Sequence, residues 1–465
     1  MLLNQRDAGR KIPLDESYPI GLSESQKMKL LQSLALKLMR LNLSSLETVR
    51  VDEHFDQELR KTSLPEAVTG NQIRALFVDR AALLREPIVG QVDFAHRTFQ
   101  EYLAASAVLD EDSLEELLQK APDDQWREAI IAAAGLARPA EQVRLLQSLV
   151  EQGNGNVASK DHTNLKALMG REKDDSEVKN KKYLHLLAVA CLETVTTVKP
   201  EIRRSVLDCA KASMPPGDDD EVAMVVRAGN EVVPLLNYEA SYSAKEASRC
   251  IKALVGVGTG TAMEALVDYA KQRSELDDLF EEVSYALGRG WDVFSHDAYL
   301  AQVLSHTNKL YLSQTQVSDV SALSALSQLN YLSLSQTQVS DVSALSALSQ
   351  LNELDLSQTQ VSDVSALSAL SQLNELDLSQ TQVSDVSALS ALSQLNYLYL
   401  SQTQVSDVSA LSALSQLNNL DLRQTQVSDV SALKRLKNLT IITDDANKAK
   451  QWRSERLKVG LQQNA

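Results

Sequence analysis

The stretch "SQTQVSDVSALSALSQLNELDLSQTQVSDVSALSALSQL" (residues 335–373) contains a 22-letter unit that recurs almost unchanged through residues 308–417. The aspartates Asp319, Asp341, Asp363, Asp385, Asp407 and Asp429 fix its period. Two letters vary while the others are copied. They read Lys309 and Tyr311, Tyr331 and Ser333, Glu353 and Asp355, Glu375 and Asp377, then Tyr397 and Tyr399. Asn419 and Asp421 hold the same places in the last turn. Self-similarity at a fixed short period means a stack of like units, each burying its apolar residues against the next.

Each unit has the form L-x-x-L-x-L-x-x-T-x-V, followed by D-V-x-x-L-x-x-L. This is the leucine-rich-repeat pattern in its short form, and it resembles the repeats of bacterial internalins. Where that family has an Asn at the turn, this chain has Thr315, Thr337, Thr359, Thr381, Thr403 and Thr425. A hydroxyl can still bond backbone groups there, with fewer bonds than an amide. The resemblance implies a coil of parallel strands, such as residues 330–334, stacked about 4.8 Å apart. Leu329, Leu332, Leu334, Val339, Val342, Leu345 and Leu348 form one inward layer. "SDVSALSAL" runs along the convex side, with Asp341 or Ser343 capping a short helical turn.

A solenoid needs covered ends. At the C-terminal end the copying is broken by Arg423, Lys434, Arg435 and Lys437. "DDANKAKQWRSERLKVGL" is expected to form a charged terminal helix that caps the stack. The helices before residue 306 would cap the other end.

Side chains alternate along a strand. With Leu332 and Leu334 inward, Tyr331 and Ser333 face out onto the concave sheet, and so does the variable pair of every unit. Two readings fit. One is recent duplication with drift where nothing packs. The other is a diversified binding face. Convex Ser and Gln positions are equally free to drift and over the first five units have not done so, which favours the second. Tyrosine gives large contact area at low entropy cost. The four central acids repel unless something basic meets them. The expected ligand is therefore a basic or polar protein segment. A surface-adsorbing solenoid is a further alternative.

The whole chain has 465 residues, enough for about three domains, a formal net charge of −16 and a pI of about 5.0. That balance argues against nucleic acid, whose phosphates need a basic surface. The three cysteines, Cys191, Cys209 and Cys250, sit in helical patterns and read as reduced thiols of a cytoplasmic protein. No apolar run approaches a membrane span, and the start shows no signal peptide. The histidines lack metal spacing, and no CxxC or HExxH occurs.

Four segments follow: 1–120, 121–305, 306–442 and 443–465. In the first, "LSESQKMKLLQSLALKLMRLNL" is a helix with Ser23 or Ser25 as its N-cap. "VDEHFDQELRKTS" and "TGNQIRALFVDRAALL" continue as helices. "LLREP" and "QVDFAH" flank Pro87 and Gly90 as a β-hairpin, which together with the helices suggests a winged-helix module. The second segment reads as helix pairs of HEAT type, with "GNGNVASKDHTNLKALMGREKDDSEVKNKK" and "MPPGDDD" as exposed loops. The fold class expected is α plus an α/β solenoid: helical and winged-helix part, HEAT-like α-solenoid, then repeats on a parallel sheet.

"FAHRTFQEYLAA" (residues 94–105) resembles the motif closing the winged-helix part of NACHT-type STAND NTPases, bacterial relatives of NOD-like receptors. "ALLREP" before it and "DDQWRE" after it agree, and "GVGTGTAMEALVDYA" is similar to that family's helical repeats. The resemblance spans roughly residues 9–300. It implies a nucleotide switch held closed by ADP and opened by ligand and ATP into an oligomer, often in defence against phage. The family's phosphate-contacting histidine falls on His96; Phe94, Phe99, Tyr102 and Leu103 are expected in the core. Yet no G-x-x-x-x-G-K-[ST] occurs, and "GVGTGT" lies in a helical pattern without a lysine. This looks like the C-terminal half of such a protein, with no cofactor of its own.

The reading is thus a non-enzymatic recognition protein, binding a protein or peptide through Lys309, Tyr311, Tyr331, Ser333, Glu353, Asp355, Glu375, Asp377, Tyr397, Tyr399, Asn419 and Asp421. Self-oligomers or a NACHT ATPase partner are possible. The alternative is half of an ATP-hydrolysing switch, completed by a separate Walker domain.

Overall fold

The computed structural model describes residues 22–61, 68–80, 82–155, 172–271, 280–454 and 457–461. The chain divides into two compact units. One comprises Met1–Met214 with Arg227–Leu235, the other Pro215–Val226 with Leu236–Ala465.

The first unit opens with helix Glu24–Leu41. Ser23 Oγ accepts from the Gln26 amide and Gln26 Oε1 from the Ser23 amide, so Ser23, not Ser25, is the cap. Asn42, left-handed at φ 58°, ends the helix. The buried stripe of Leu30, Leu31, Leu34, Ala35 and Leu38 lies against helix Arg97–Asp110. Helices Thr48–Leu59 and Gly70–Ala75 follow, the latter running into a π-helical turn, Leu76–Arg80.

Strands β2 (Leu84–Ile88) and β3 (Gln91–Phe94) form the expected hairpin. Gly90 supplies the positive φ of 85° that the turn requires. A third strand, β1 (Ser45–Glu47), pairs antiparallel with β3, giving the order β1-β3-β2. Helices Leu114–Lys120, Arg127–Leu136, Pro139–Gly153, Glu172–Leu192 and Pro200–Lys211 continue the unit.

Two expected loops are partly helical. Residues 156–171 lie outside the described residues, but from Glu172 the chain is already helix. Its Glu, Lys and Asp residues extend the apolar run "LHLLAVACL" by a polar first half, and Lys and Glu are good helix formers. Asp219 and Asp220 of "MPPGDDD" open helix Asp219–Arg227, where negative charge suits the N-terminal dipole.

In the second unit, helix Ala244–Val257 starts on a Ser243–Glu246 capping box and ends at Gly258, φ +66°. "GVGTGT" is therefore a helix end and the start of helix Gly260–Lys271, not a phosphate loop. Helices Phe280–Gly288 and His296–Gln302 lead into the solenoid.

Its sheet has eight parallel strands in chain order. They are β4 (Lys309–Tyr311), β5 (Tyr331–Ser333), β6 (Glu353–Asp355), β7 (Glu375–Asp377), β8 (Tyr397–Tyr399), β9 (Asn419–Asp421), β10 (Thr440–Thr443) and β11 (Lys458–Leu461). From β4 to β9 the pairing is in register, residue i with residue i+22. The leucines and valines assigned inward are buried. Each convex arc holds a 3-10 turn such as Ser343–Ala347, and Asp341 Oδ1 accepts from the Ser343 amide at 2.8 Å. The threonine column is buried, and each hydroxyl donates to a carbonyl three residues back, Thr359 to Leu356 at 2.6 Å.

Both ends are closed within this unit. Gly288 lets its helix approach the edge strand so closely that a Cβ there would sit 1.8 Å from the Tyr311 carbonyl oxygen. Asp292 Oδ1 accepts from the Gln316 amide at 3.0 Å. At the other end helix Ala446–Ser454 buries Ala449 and Trp452. The expected terminal helix stops there. "LKVGL" instead returns as β11, parallel to β10, because Val459 and Leu461 extend the sheet while the helix crosses over, as a parallel pair requires.

Candidate functional site

The concave sheet face is built by alternation. In β6 the central Leu354 is buried, while Glu353 is exposed and Asp355 half-buried. The same alternation puts Lys309, Tyr331, Glu353, Glu375, Tyr397 and Asn419 in one column. Tyr311, Ser333, Asp355, Asp377, Tyr399 and Asp421 form the second. Strands this close shield one another's side chains.

The two columns differ. The first is the more open: Glu353 is exposed and Tyr397 is 37% exposed, while Lys309, Tyr331, Glu375 and Asn419 are half-buried. The second is tied down, and Ser333 and Asp421 are buried rather than open. Ser333 Oγ donates to Asp355 Oδ2 at 2.9 Å and lies 2.7 Å from Ser313 Oγ. Asp355 Oδ1 accepts from the Ser357 amide and hydroxyl, and Asp377 Oδ1 from the Ser379 amide. Asp421 accepts from the Arg423 amide and pairs with its guanidinium at 2.6 Å. The bonds of Asp355, Asp377 and Asp421 are Asx turns that stop β6, β7 and β9, a local bond available to any Asp two residues before a donor. The letters "DLS" and "DLR" carry that signal in the sequence, and alternation alone misses it.

The face as a whole is zoned, across both columns. Tyr311 and Tyr331 have ring centroids 4.6 Å apart, and Lys309 Nζ lies 5.9 Å from the Tyr331 centroid, within cation–π range. In the middle, burial raises the Glu375 carboxyl above its ordinary range, Glu353 raises it further, and a bond from Tyr399 partly offsets this. Burial likewise raises Asp377; its Ser379 bonds lower it, and the charges of Asp355 and Asp421 add to the rise. These acids pay an electrostatic cost that a nearby cation would relieve.

His96 belongs to the first unit. It is exposed at the extended N-cap position of helix Arg97–Asp110 and its side chain makes no capping bond. Phe94 and Leu103 are core as expected, but Phe99 is 39% and Tyr102 48% exposed. Both lie on the helix face opposite the stripe that includes Gln100, Leu103, Ala104 and Ala107, so helical periodicity overrides their bulk. Among the described residues no group of His, Cys, Asp and Glu could hold a metal ion, and no helix is long and apolar enough to cross a membrane.

Residues 349–391 match the family model for Leucine Rich repeats (2 copies). The C-terminal coil is a leucine-rich-repeat module. The chain is similar to an internalin C2 from Listeria monocytogenes, 31% identical, over 35% of this chain and 75% of that one, with TM-score 0.31. An internalin, inlF, from the same species is 24% identical over 46% of this chain and 71% of that one, TM-score 0.35. A TDR receptor is 23% identical over 31% of this chain and 27% of that one, TM-score 0.29. No curated protein matches the chain. The leucine-rich-repeat reading rests on the family match and on the in-register strands themselves.

Proposed function

We propose that the leucine-rich-repeat module is a protein-binding surface and that the open column, Lys309, Tyr331, Glu353, Glu375, Tyr397 and Asn419, makes its contacts with a basic protein segment. The observation that carries the reading is the confinement of variation to the concave face. Over the first five units core, turn and convex letters are copied, while the outward strand letters change and arrive as tyrosines flanking acids. Tyr311, Ser333, Asp355, Asp377, Tyr399 and Asp421 act mainly by shaping and charging that column. The experiment is a titration of an arginine-rich peptide by fluorescence anisotropy at low and high salt. Glu353→Ser with Glu375→Ser should weaken binding at least about tenfold, the scale of one lost charge-pair energy; unchanged affinity sinks the reading.

The proposal extends to the first unit as a remnant of a NACHT-type switch, cytoplasmic, with a winged-helix part and a HEAT-like arm over the segments 1–120 and 121–305. Its support is the "FAHRTFQEYLAA" motif, the helix–strand–helix–helix–hairpin order and the accessible His96. A mixture with a Walker-bearing ATPase, assayed for ATP turnover with and without His96→Ala, tests the role in trans.

A further inference from the structure

Charge is divided unevenly between the repeats and their C-terminal end. Residues 308–433 carry eleven acidic and two basic side chains, a net of −9. Residues 434–461 carry eight basic and three acidic ones, a net of +5. The basic set belongs to the terminal cap. Arg435, Lys437, Lys450, Arg453 and Lys458 are all exposed. Trp452 and Ala449 anchor the inner side of helix Ala446–Ser454, which leaves Lys450 and Arg453 on its outer surface, one turn apart. The acidic centre of the sheet face, Glu353 and Glu375, lies strands away from this cap in the same chain, since β8 and β9 intervene.

Spacing matches as well as sign. Residues three apart on a helix lie about 5–6 Å apart, and register partners on neighbouring strands about 4.8 Å apart. A helix lying across the strands therefore presents its basic residues at the interval of Glu353 and Glu375. Same-face residues of an extended segment, about 6.8 Å apart, fit that interval less well.

We propose that the basic segment received by the concave face is the C-terminal cap of a second copy of this chain, docked through the outer surface of helix Ala446–Ser454 at Lys450 and Arg453, with Lys437 adding to the positive charge of that end. This rests on the protein-binding reading of the face and names its partner. The contact is heterologous, since cap and face are different surfaces, so each copy offers one of each and assembly proceeds head to tail. It is electrostatic at its rim and weakens with salt.

Sedimentation equilibrium of the full chain at 50 and 500 mM salt, concentrations chosen for about a Debye length of 14 and 4 Å, tests this together with a charge swap. Wild type should associate at low salt and fall to monomer at high salt. Lys437→Glu with Lys450→Glu, and separately Glu353→Lys with Glu375→Lys, should each be monomeric at both. Mixing the two variants should restore association, because each then offers the other an opposite charge. These substitutions avoid Arg453, whose guanidinium holds the Val459 carbonyl, and circular dichroism confirms that each variant is folded. Monomeric wild type at low salt overturns the proposal, and so does a mixture that stays monomeric. The arginine-rich peptide separates this from the underlying reading. If wild type stays monomeric yet binds the peptide through Glu353 and Glu375, the face stands and only the second copy is excluded. If the peptide is not bound either, both fall.

Discussion

Asp355 and Asp377 are register partners on the adjacent parallel strands β6 and β7, like charges placed side by side where opposite charges would stabilise. Burial raises the Asp377 carboxyl, and Glu375 behind it is raised too. The sign follows from proton binding. An acid whose folded pKa lies above its unfolded value holds more protons when folded, so its contribution to stability falls as pH rises through that interval. Replacing Glu375 by Gln and Asp377 by Asn removes the cost and keeps an acceptor for the Ser379 amide. The double variant should be more stable than wild type at pH 7 by about 0.5 kcal/mol, within the range for cross-strand charge pairs. The gain should vanish below the normal carboxylate range. Urea midpoints at pH 7 and at pH 3.5 check this; an equal gain at both would show that charge is not its cause.

Six glutamines, Gln314, Gln336, Gln358, Gln380, Gln402 and Gln424, adopt φ between 54° and 60°. A side chain with a Cβ is strained in this left-handed region, whereas Gly is not and Asn tolerates it. The Gln380 amide donates to Ser401 at 2.8 Å, a bond that side-chain substitution leaves in place. Gln380→Asn should stabilise the chain by about 0.5 kcal/mol, a fraction of the left-handed penalty, and Gln380→Ala should not. Equal urea midpoints for the two variants would mean that the backbone there carries no strain.

How much of this was legible in the sequence depends on the range of the interaction. The coil was legible because its core repeats at a fixed interval, and Leu332, Leu334 and Val339 have no other way to be buried together. The caps were legible in part: Ser23 and Asp341 bond backbone amides two or three residues away, so local letters suffice. Ser333 and Asp421 of the second column are buried because their side chains bond Asp355 and Arg423, which the alternation rule does not register. β11 was missed because "LKVGL" is short and charged at its start, and only the neighbouring β10 makes it a strand. Phe99 and Tyr102 are expected in the core, but their positions on the helix turn them outward. The left-handed glutamines left no sequence signal, since Gln is not a residue chosen for positive φ.

Thiol chemistry offers a test of the helical regions. Cys191 and Cys250 are buried, which pushes their thiols up to about 12 and about 11 respectively. Cys209 is only half-buried, near Asn154. Since the thiolate is the nucleophile, an aromatic disulfide reagent at pH 8 should modify one thiol of the native chain quickly. The other two should react at least about 100-fold more slowly, in proportion to their thiolate fraction, and all three should react alike in urea. Cys209→Ser should abolish the fast phase; a fast phase that survives would place the reactive thiol elsewhere.

The approach of helix Phe280–Gly288 to β4 depends on one missing methyl group. At Gly288 a Cβ would lie 1.8 Å from the Tyr311 oxygen and 2.9 Å from its carbonyl carbon. Backbone on both sides leaves no flexible side chain to move away. Gly288→Ala should therefore displace the helix from the edge strand and cost about 3 kcal/mol, the upper part of the range for overpacking. Gly260→Ala is the control, because nothing lies within 4 Å of its Cβ position and helix propensity favours Ala. Hydrogen exchange distinguishes a local from a global effect. In Gly288→Ala the amides of β4 and β5 should lose protection while those of β8 and β9 keep theirs, since a solenoid transmits stability only between neighbouring turns. Uniform loss along the sheet would mean that the coil melts as one unit and that its N-terminal cap governs the whole stack.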